Sequence, residues 1–181
     1  MKNILKLTAI LFTITAIVAA LLAGANMLTK DRIVAAKEEK IAIAVASVLP
    51  GDTIESQSAV DEGIVKTIYR GKTGCAVEVA PNGFGGTITM MVGVSKEGKV
   101  LGIQIVSHSE TPGLGAKAQT DESFLNSFQG LSGLIQVGKD GGDADTLTGA
   151  TITSRAVAEG VSAAVAYVEG LNWENRGEAG K

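Results

Sequence analysis

The feature that most constrains this chain is a run of 23 residues without charge, Leu7–Thr29. As a helix the run would extend roughly 34 Å, which is enough to cross the hydrocarbon core of a bilayer. We therefore predict a retained membrane anchor in residues 1–30. A cleaved signal peptide is the alternative, because residues 23–25 (Ala-Gly-Ala) have the small side chains of a cleavage site. The apolar core of a signal peptide usually spans only about 7–15 residues, which favours the anchor.

Both interpretations place the globular part outside the cytoplasm, so we predict a single-pass cell-membrane protein with an extracytoplasmic domain. Basic residues flank the apolar run on both sides, so charge alone does not decide the orientation. The net charge of -3 argues against a nucleic-acid partner. One Cys and one His cannot build a Cys/His zinc site, and we predict no metal site.

The rest of the chain predicts an α+β fold: one transmembrane helix, then a domain with an antiparallel sheet and flanking helices. Residues 31–52 are predicted as a helical stalk, helical over Ile33–Leu49 and stopped by Pro50-Gly51. Residues 53–171 are predicted as the domain, and residues 172–181 as a flexible tail.

Within the domain, alternating apolar residues separated by glycine-rich turns predict strands. The predicted strands are Ile64–Tyr69, Cys75–Val79, a segment containing Ile88 to Val94, Val100–Val106 and Leu134–Val137. Leu101, Ile103 and Ile105 are expected to share one face. Helical periodicity predicts a short helix over Asp121–Gln129 and a longer one over Ser154–Glu169, which carries a stripe of valines.

A dense set of hydroxyl side chains precedes the last helix, in the segment Asp145–Ser154. One interpretation is a helix N-cap, since Ser and Thr commonly cap helices. That accounts for one or two of the hydroxyls. The other interpretation is a phosphate site, because a helix N-terminus offers unpaired N–H groups and the positive end of the helix dipole. Gly149 and Ala150 leave room for a phosphate to approach, and a Thr there is able to carry the phosphate as an ester.

A second segment, Glu110–Gly115, contains Pro112-Gly113, the signature of a type II turn. By itself this segment is typical of a surface turn. His108 alone is more typical of a structural residue than of a ligand. Asp140–Asp145 resembles a calcium loop only superficially, because its twelfth position is Thr151 rather than Glu. Gly83–Gly86 lacks the dinucleotide-binding spacing and is interpreted as the entry to a strand.

Asp145-x-x-Thr148-Gly149-Ala150-Thr151 resembles the flavinylation motif of membrane-anchored FMN-binding domains, and Glu110–Gly115 resembles their second motif. The greatest similarity is to the G subunits of Rnf-type electron transport complexes; the C subunits of sodium-pumping NADH:quinone reductases are related. The resemblance implies that a flavin transferase joins FMN through its phosphate to Thr151, with Asp145 in transferase recognition. It also implies a set of cofactor-binding residues: Glu110, Thr111, Gly113, Leu114, Gly115, Thr148, Gly149, Ala150, Ile152 and Thr153.

The function implied is electron relay by covalent FMN within an ion-translocating ferredoxin:NAD oxidoreductase (a translocase), where this chain is a subunit that is not catalytic alone. Its partners would be the other Rnf subunits and, during maturation, the flavin transferase. Two alternatives stay open: an extracytoplasmic flavin carrier outside that complex, and a non-redox assembly module in which the Thr-rich segment only caps a helix.

Overall fold

The computed structural model describes residues 2–171, and within that range it leaves the side chains at positions 2, 3 and 61 undescribed. The predicted tail, residues 172–181, lies outside the described residues. The chain divides into two compact units, residues 1–40 and residues 41–181. Helix α1 (Lys2–Val48) forms the first unit and contributes its last turns to the second.

In the first unit every described side chain from Ile4 to Lys40 is exposed. A helix that presents apolar side chains on all sides is typical of a membrane span. Several hydroxyls in the uncharged run, such as those of Thr8 and Thr13, donate to the carbonyl four residues earlier. This satisfies their polar atoms within the helix, as an apolar environment requires. By length and composition this helix is able to cross a bilayer.

The second unit is built on an antiparallel sheet of five strands in the order β1-β2-β3-β4-β5. The strands are β1 (Ser56–Glu62), β2 (Val65–Arg70), β3 (Gly74–Val79), β4 (Thr89–Ser95) and β5 (Val100–Ser107). Each strand pairs with its neighbour in sequence, and the longest connection is residues 80–88, between β3 and β4. The predicted α+β fold with an antiparallel sheet is confirmed.

Helix α3 (Thr151–Glu169) covers one face of the sheet. Its valine stripe, at positions 157, 161, 165 and 168, is fully buried, as the periodicity predicted. The facing strand residues include Val77 and Val92, which are also fully buried. The short helix α2 (Glu122–Asn126) and the turn after it close the same core. They contribute Phe124 and Phe128, whose rings meet edge to face at 5.3 Å.

The end of α1 and the residue after it cover the other face, where Ala44, Val45, Val48 and Leu49 form a smaller apolar cluster with strand residues such as Met91. Gly93 makes this packing close, because a Cβ there would lie 2.3 Å from the Val48 carbonyl oxygen. The helix ends at Val48, just before the predicted Pro50-Gly51 stop, and Gly51 takes a φ of 75° in the turn that follows.

Several predicted elements differ from the structure. Leu101 is 40% exposed rather than sharing the buried face of Ile103 and Ile105, since a β-bulge shifts the register between Gly93 and Val94. The prediction of a strand over Leu134–Val137 is wrong. That segment forms only an isolated bridge between Val137 and Ala144.

The remaining differences concern boundaries and one missed strand. Helix α3 begins at Thr151 rather than Ser154, so the hydroxyl-rich motif runs into its first turn. Helix α2 is shorter than the predicted 121–129 and gives way to turns that end at Gly130, whose φ is 80°. Strand β1 was missed because its sequence is mostly polar, as expected for a strand at the edge of a sheet.

Candidate functional site

A cavity of about 380 Å³ opens at the N-terminus of α3. Three segments meet there: the start of the helix, the turn after β5 and the loop Gly83–Gly86. The size lies within the range of small-molecule sites, roughly 300–1,000 Å³. The lining residues are Phe84, Glu110, Thr111, Leu114, Gly115, Gly149, Ala150, Thr151, Ile152 and Thr153. Residues from both motifs singled out in the sequence thus line one cavity.

The N-terminus of α3 has no side-chain cap. Ala150 occupies the N-cap position, and Gly149 before it takes a φ of 80°. The Ser154 hydroxyl instead accepts from the Leu147 N–H and donates to the Ala150 carbonyl. The interpretation of the Thr-rich segment as a helix cap is therefore wrong. The free N–H groups of the first turn favour an anion at the cavity.

Thr151 is the first residue of α3 and is partly exposed at the cavity. Its hydroxyl oxygen accepts a hydrogen bond of 2.9 Å from the Lys139 ammonium. A nucleophilic oxygen therefore lies beside both a cation and the positive end of a helix dipole.

The Lys139 side chain extends from a short 3-10 turn, residues 138–140, that contacts α3 through side-chain hydrogen bonds. The next residue, Asp140, accepts two hydrogen bonds from the Arg155 guanidinium, at 2.7 Å and 2.5 Å. These bonds lower the pKa of Asp140 and raise the pKa of Arg155. Thr151 and Arg155 are four residues apart and share one face of the helix. The consecutive loop residues Lys139 and Asp140 therefore contact consecutive turns of α3.

The back of the cavity is organised by Glu110, which is only 5% exposed. Its carboxylate accepts from the Gly85 N–H at 2.9 Å and from the Thr153 hydroxyl at 2.5 Å. Gly115 is required for this approach, since a Cβ there would lie 2.6 Å from both the Glu110 carboxylate and the Thr153 hydroxyl oxygen. One buried carboxylate thereby connects all three segments that form the site.

The turn that follows Glu110 has the predicted geometry. Gly113 takes a φ of 77°, and the Leu114 N–H donates to the Thr111 carbonyl, as in a type II turn. Leu114 then extends towards the first motif, where a Cβ on Gly149 would lie 3.2 Å from it. His108 has a structural contact here, accepting from the Glu110 N–H.

Three of the predicted site residues do not line this cavity. Gly113 shapes the turn but stays outside it, while Asp145 and Thr148 line a neighbouring cavity of about 230 Å³ together with Lys117 and others. Sequence reasoning missed Phe84 and Lys139. The glycines around Phe84 signalled a close approach of the backbone, but no local signal marked Lys139.

Comparisons with known proteins identify the family of the domain that contains this cavity. The family model described as FMN-binding domain matches residues 83–166, which include every residue that lines the cavity. The G subunit of the ion-translocating oxidoreductase complex of Vibrio atlanticus is 34% identical over 95% of this chain and 94% of its own length. The chain belongs to the family of G subunits of ion-translocating oxidoreductase complexes.

Two further G subunits of such complexes support this assignment. The protein of Stutzerimonas stutzeri is 33% identical over 85% of this chain and 76% of its own length. The protein of Erwinia tasmaniensis is 48% identical over 51% of this chain and 47% of its own length. The predicted resemblance to Rnf-type G subunits is confirmed, and the FMN-binding domain supports FMN as the cofactor.

Proposed function

We propose that this chain carries FMN as a phosphoester on Thr151 and relays electrons within an ion-translocating oxidoreductase complex. The observation that carries the proposal is the placement of the Thr151 hydroxyl, at an uncapped helix N-terminus, beside a cation and open to a cavity of ligand size. The family's FMN-binding domain and its place in such complexes agree with it.

The residues present fit FMN. Unpaired N–H groups of the first turn of α3 suit the phosphate, and Gly149 brings no side chain against it. Phe84, Leu114 and Ile152 line the cavity and are 69%, 46% and 51% exposed, so a flat apolar ring would cover them. When bound, the flavin ring supplies the redox chemistry, and the protein orients it.

Attachment is a phosphoryl transfer. The Thr151 oxygen forms a bond to the phosphorus of an FMN phosphoanhydride, the bond to the leaving phosphate ester breaks, and the hydroxyl proton is released. A flavin transferase would catalyse this step. Asp145 is exposed and lies on the neighbouring cavity, where an enzyme is able to contact it without displacing the flavin.

The proposed setting is the extracytoplasmic side of the cell membrane. There a covalent tether keeps a diffusible flavin at high effective concentration beside its partners. Those partners are the other subunits of an Rnf-type ferredoxin:NAD oxidoreductase, which supply and accept the electrons. The chain acts as a translocase subunit without catalysis of its own.

Covalent attachment is tested by producing the full chain together with a flavin transferase and then denaturing it. Flavin fluorescence should stay with the denatured wild-type band and be absent from Thr151→Ala. Thr148→Ala, at an exposed threonine of the same motif, serves as the matched control and should keep the fluorescence. Fluorescence retained by Thr151→Ala, or absent from the wild type, would contradict the proposal.

Topology is tested separately by fusing a reporter after Gly170 of the full chain. A reporter that functions only outside the cytoplasm should be active, and one that functions only inside should be silent. The reverse pattern would place the domain in the cytoplasm.

A further inference from the structure

The structure places one basic side chain on the acceptor hydroxyl, and the FMN-binding motifs do not include it. The Lys139 ammonium donates to Thr151 Oγ1 at 2.9 Å. Esterification would bond the phosphorus of FMN to this same oxygen. The non-bridging phosphate oxygens would then lie two bonds away from Thr151 Oγ1. A small change of the flexible lysine side chain would then bring the ammonium onto one of them.

Lys139 is exposed, but the backbone that carries it is held in place by hydrogen bonds. The Gly138 N–H donates to the Ala144 carbonyl at 2.7 Å, and the Asp140 N–H donates to the Val137 carbonyl at 2.8 Å. Gly142 allows the loop to close, because a Cβ there would lie 2.0 Å from the Gln136 carbonyl oxygen.

The paired contact with α3 fixes the orientation of the turn. Asp140 is held by two hydrogen bonds to Arg155, one helical turn after Thr151. Arg155 is thereby engaged with a carboxylate, which leaves Lys139 as the cation directed at the acceptor oxygen. The Lys139 charge also acts on the nearby Asp140, but the hydrogen bond of its ammonium goes to Thr151.

We propose that Lys139 is the positioning residue that holds the FMN phosphate against the first turn of α3, with the Asp140–Arg155 pair supporting its turn. The inference rests on the proposed attachment at Thr151. During transfer the ammonium stabilises negative charge on the phosphoryl oxygens. In the finished protein it pairs with the single negative charge of the phosphodiester.

The test uses the full chain in detergent with purified flavin transferase and its flavin nucleotide donor. Lys139→Gln should lower the initial rate of covalent attachment about tenfold or more, since a charged phosphoryl contact is lost. Lys139→Arg should keep most of the rate. Lys99→Gln is the matched control, because Lys99 is an exposed lysine on the β4–β5 turn, and it should match the wild type.

A second measurement separates contact with the phosphate from recognition by the transferase. After prolonged loading, the phosphorus NMR resonance of the phosphodiester should move in Lys139→Gln and Lys139→Arg but not in Lys99→Gln. An unmoved resonance in both Lys139 variants would overturn the proposal even if attachment is slow. An unchanged attachment rate in Lys139→Gln would also overturn it. Wild-type protein that acquires no flavin would instead refute the proposed function.

Discussion

Replacing Glu110 with Ala should destabilise the domain through the loss of its central connection. The change removes two hydrogen bonds to a carboxylate that is only 5% exposed and leaves the Gly85 N–H and the Thr153 hydroxyl without their acceptor. Hydrogen bonds to charged groups each contribute about 1.5–3 kcal/mol. Water from the adjacent cavity is able to replace part of the lost hydrogen bonding, so we expect the free energy of unfolding to fall by about 3 kcal/mol.

Pulse proteolysis in urea measures this loss on the full chain in detergent. With a denaturant slope of roughly 2 kcal/mol/M, the midpoint for cleavage of the domain should fall by about 1.5 M urea. Glu110→Gln keeps an oxygen for the Gly85 N–H and should lose about half as much. Glu55→Ala, at an exposed position, is the matched control and should barely move the midpoint. A Glu110→Ala midpoint equal to that of Glu55→Ala would refute the assigned role.

Three further outcomes are expected. Gly93→Ala should destabilise the domain by about 1–3 kcal/mol in the same urea assay, whereas Gly102→Ala should be tolerated because its nearest neighbour is 4.0 Å away; equal losses would contradict the packing described. Burial raises the pKa of Asp52, but hydrogen bonds from Thr73 and its neighbours outweigh burial and lower it below 3.8. The contribution of ionised Asp52 to the free energy of unfolding should therefore be fully present at neutral pH and decline below about pH 4. Asp52→Asn should flatten that decline in urea titrations. Gly113→Val should strain the type II turn and alter the absorption or midpoint potential of attached flavin; an unchanged spectrum and potential would leave the turn without a role in the pocket.

The sequence was informative wherever one local rule dominates. An uncharged run of this length predicts a helix, the valine stripe of α3 follows from helical periodicity, and Pro112-Gly113 determines its own turn. The motifs predicted that residues far apart in sequence share a site, and Thr153 and Glu110 do meet there. That conclusion came from resemblance to a family, because the residues alone also allowed a helix cap.

The parts that sequence reasoning missed depend on tertiary contacts. Leu101 lies outside the core because a bulge shifts the pairing of β4 with β5, and no single residue type predicts that bulge. Strand β1 is polar because it lies at an edge. Lys139 was missed because only the folded loop brings it to Thr151, and an isolated lysine does not form a recognisable motif.

The most direct test of the account is to locate the flavin in the sequence by tandem mass spectrometry of the loaded chain. Trypsin cleavage after Lys139 and Arg155 releases one peptide, residues 140–155, that contains every hydroxyl of the motif. We expect this peptide to carry FMN, with loss of one water, and fragment ions to assign the FMN to Thr151. An adduct on Thr148 or Thr153, or an unmodified peptide from protein that is otherwise yellow, would contradict it.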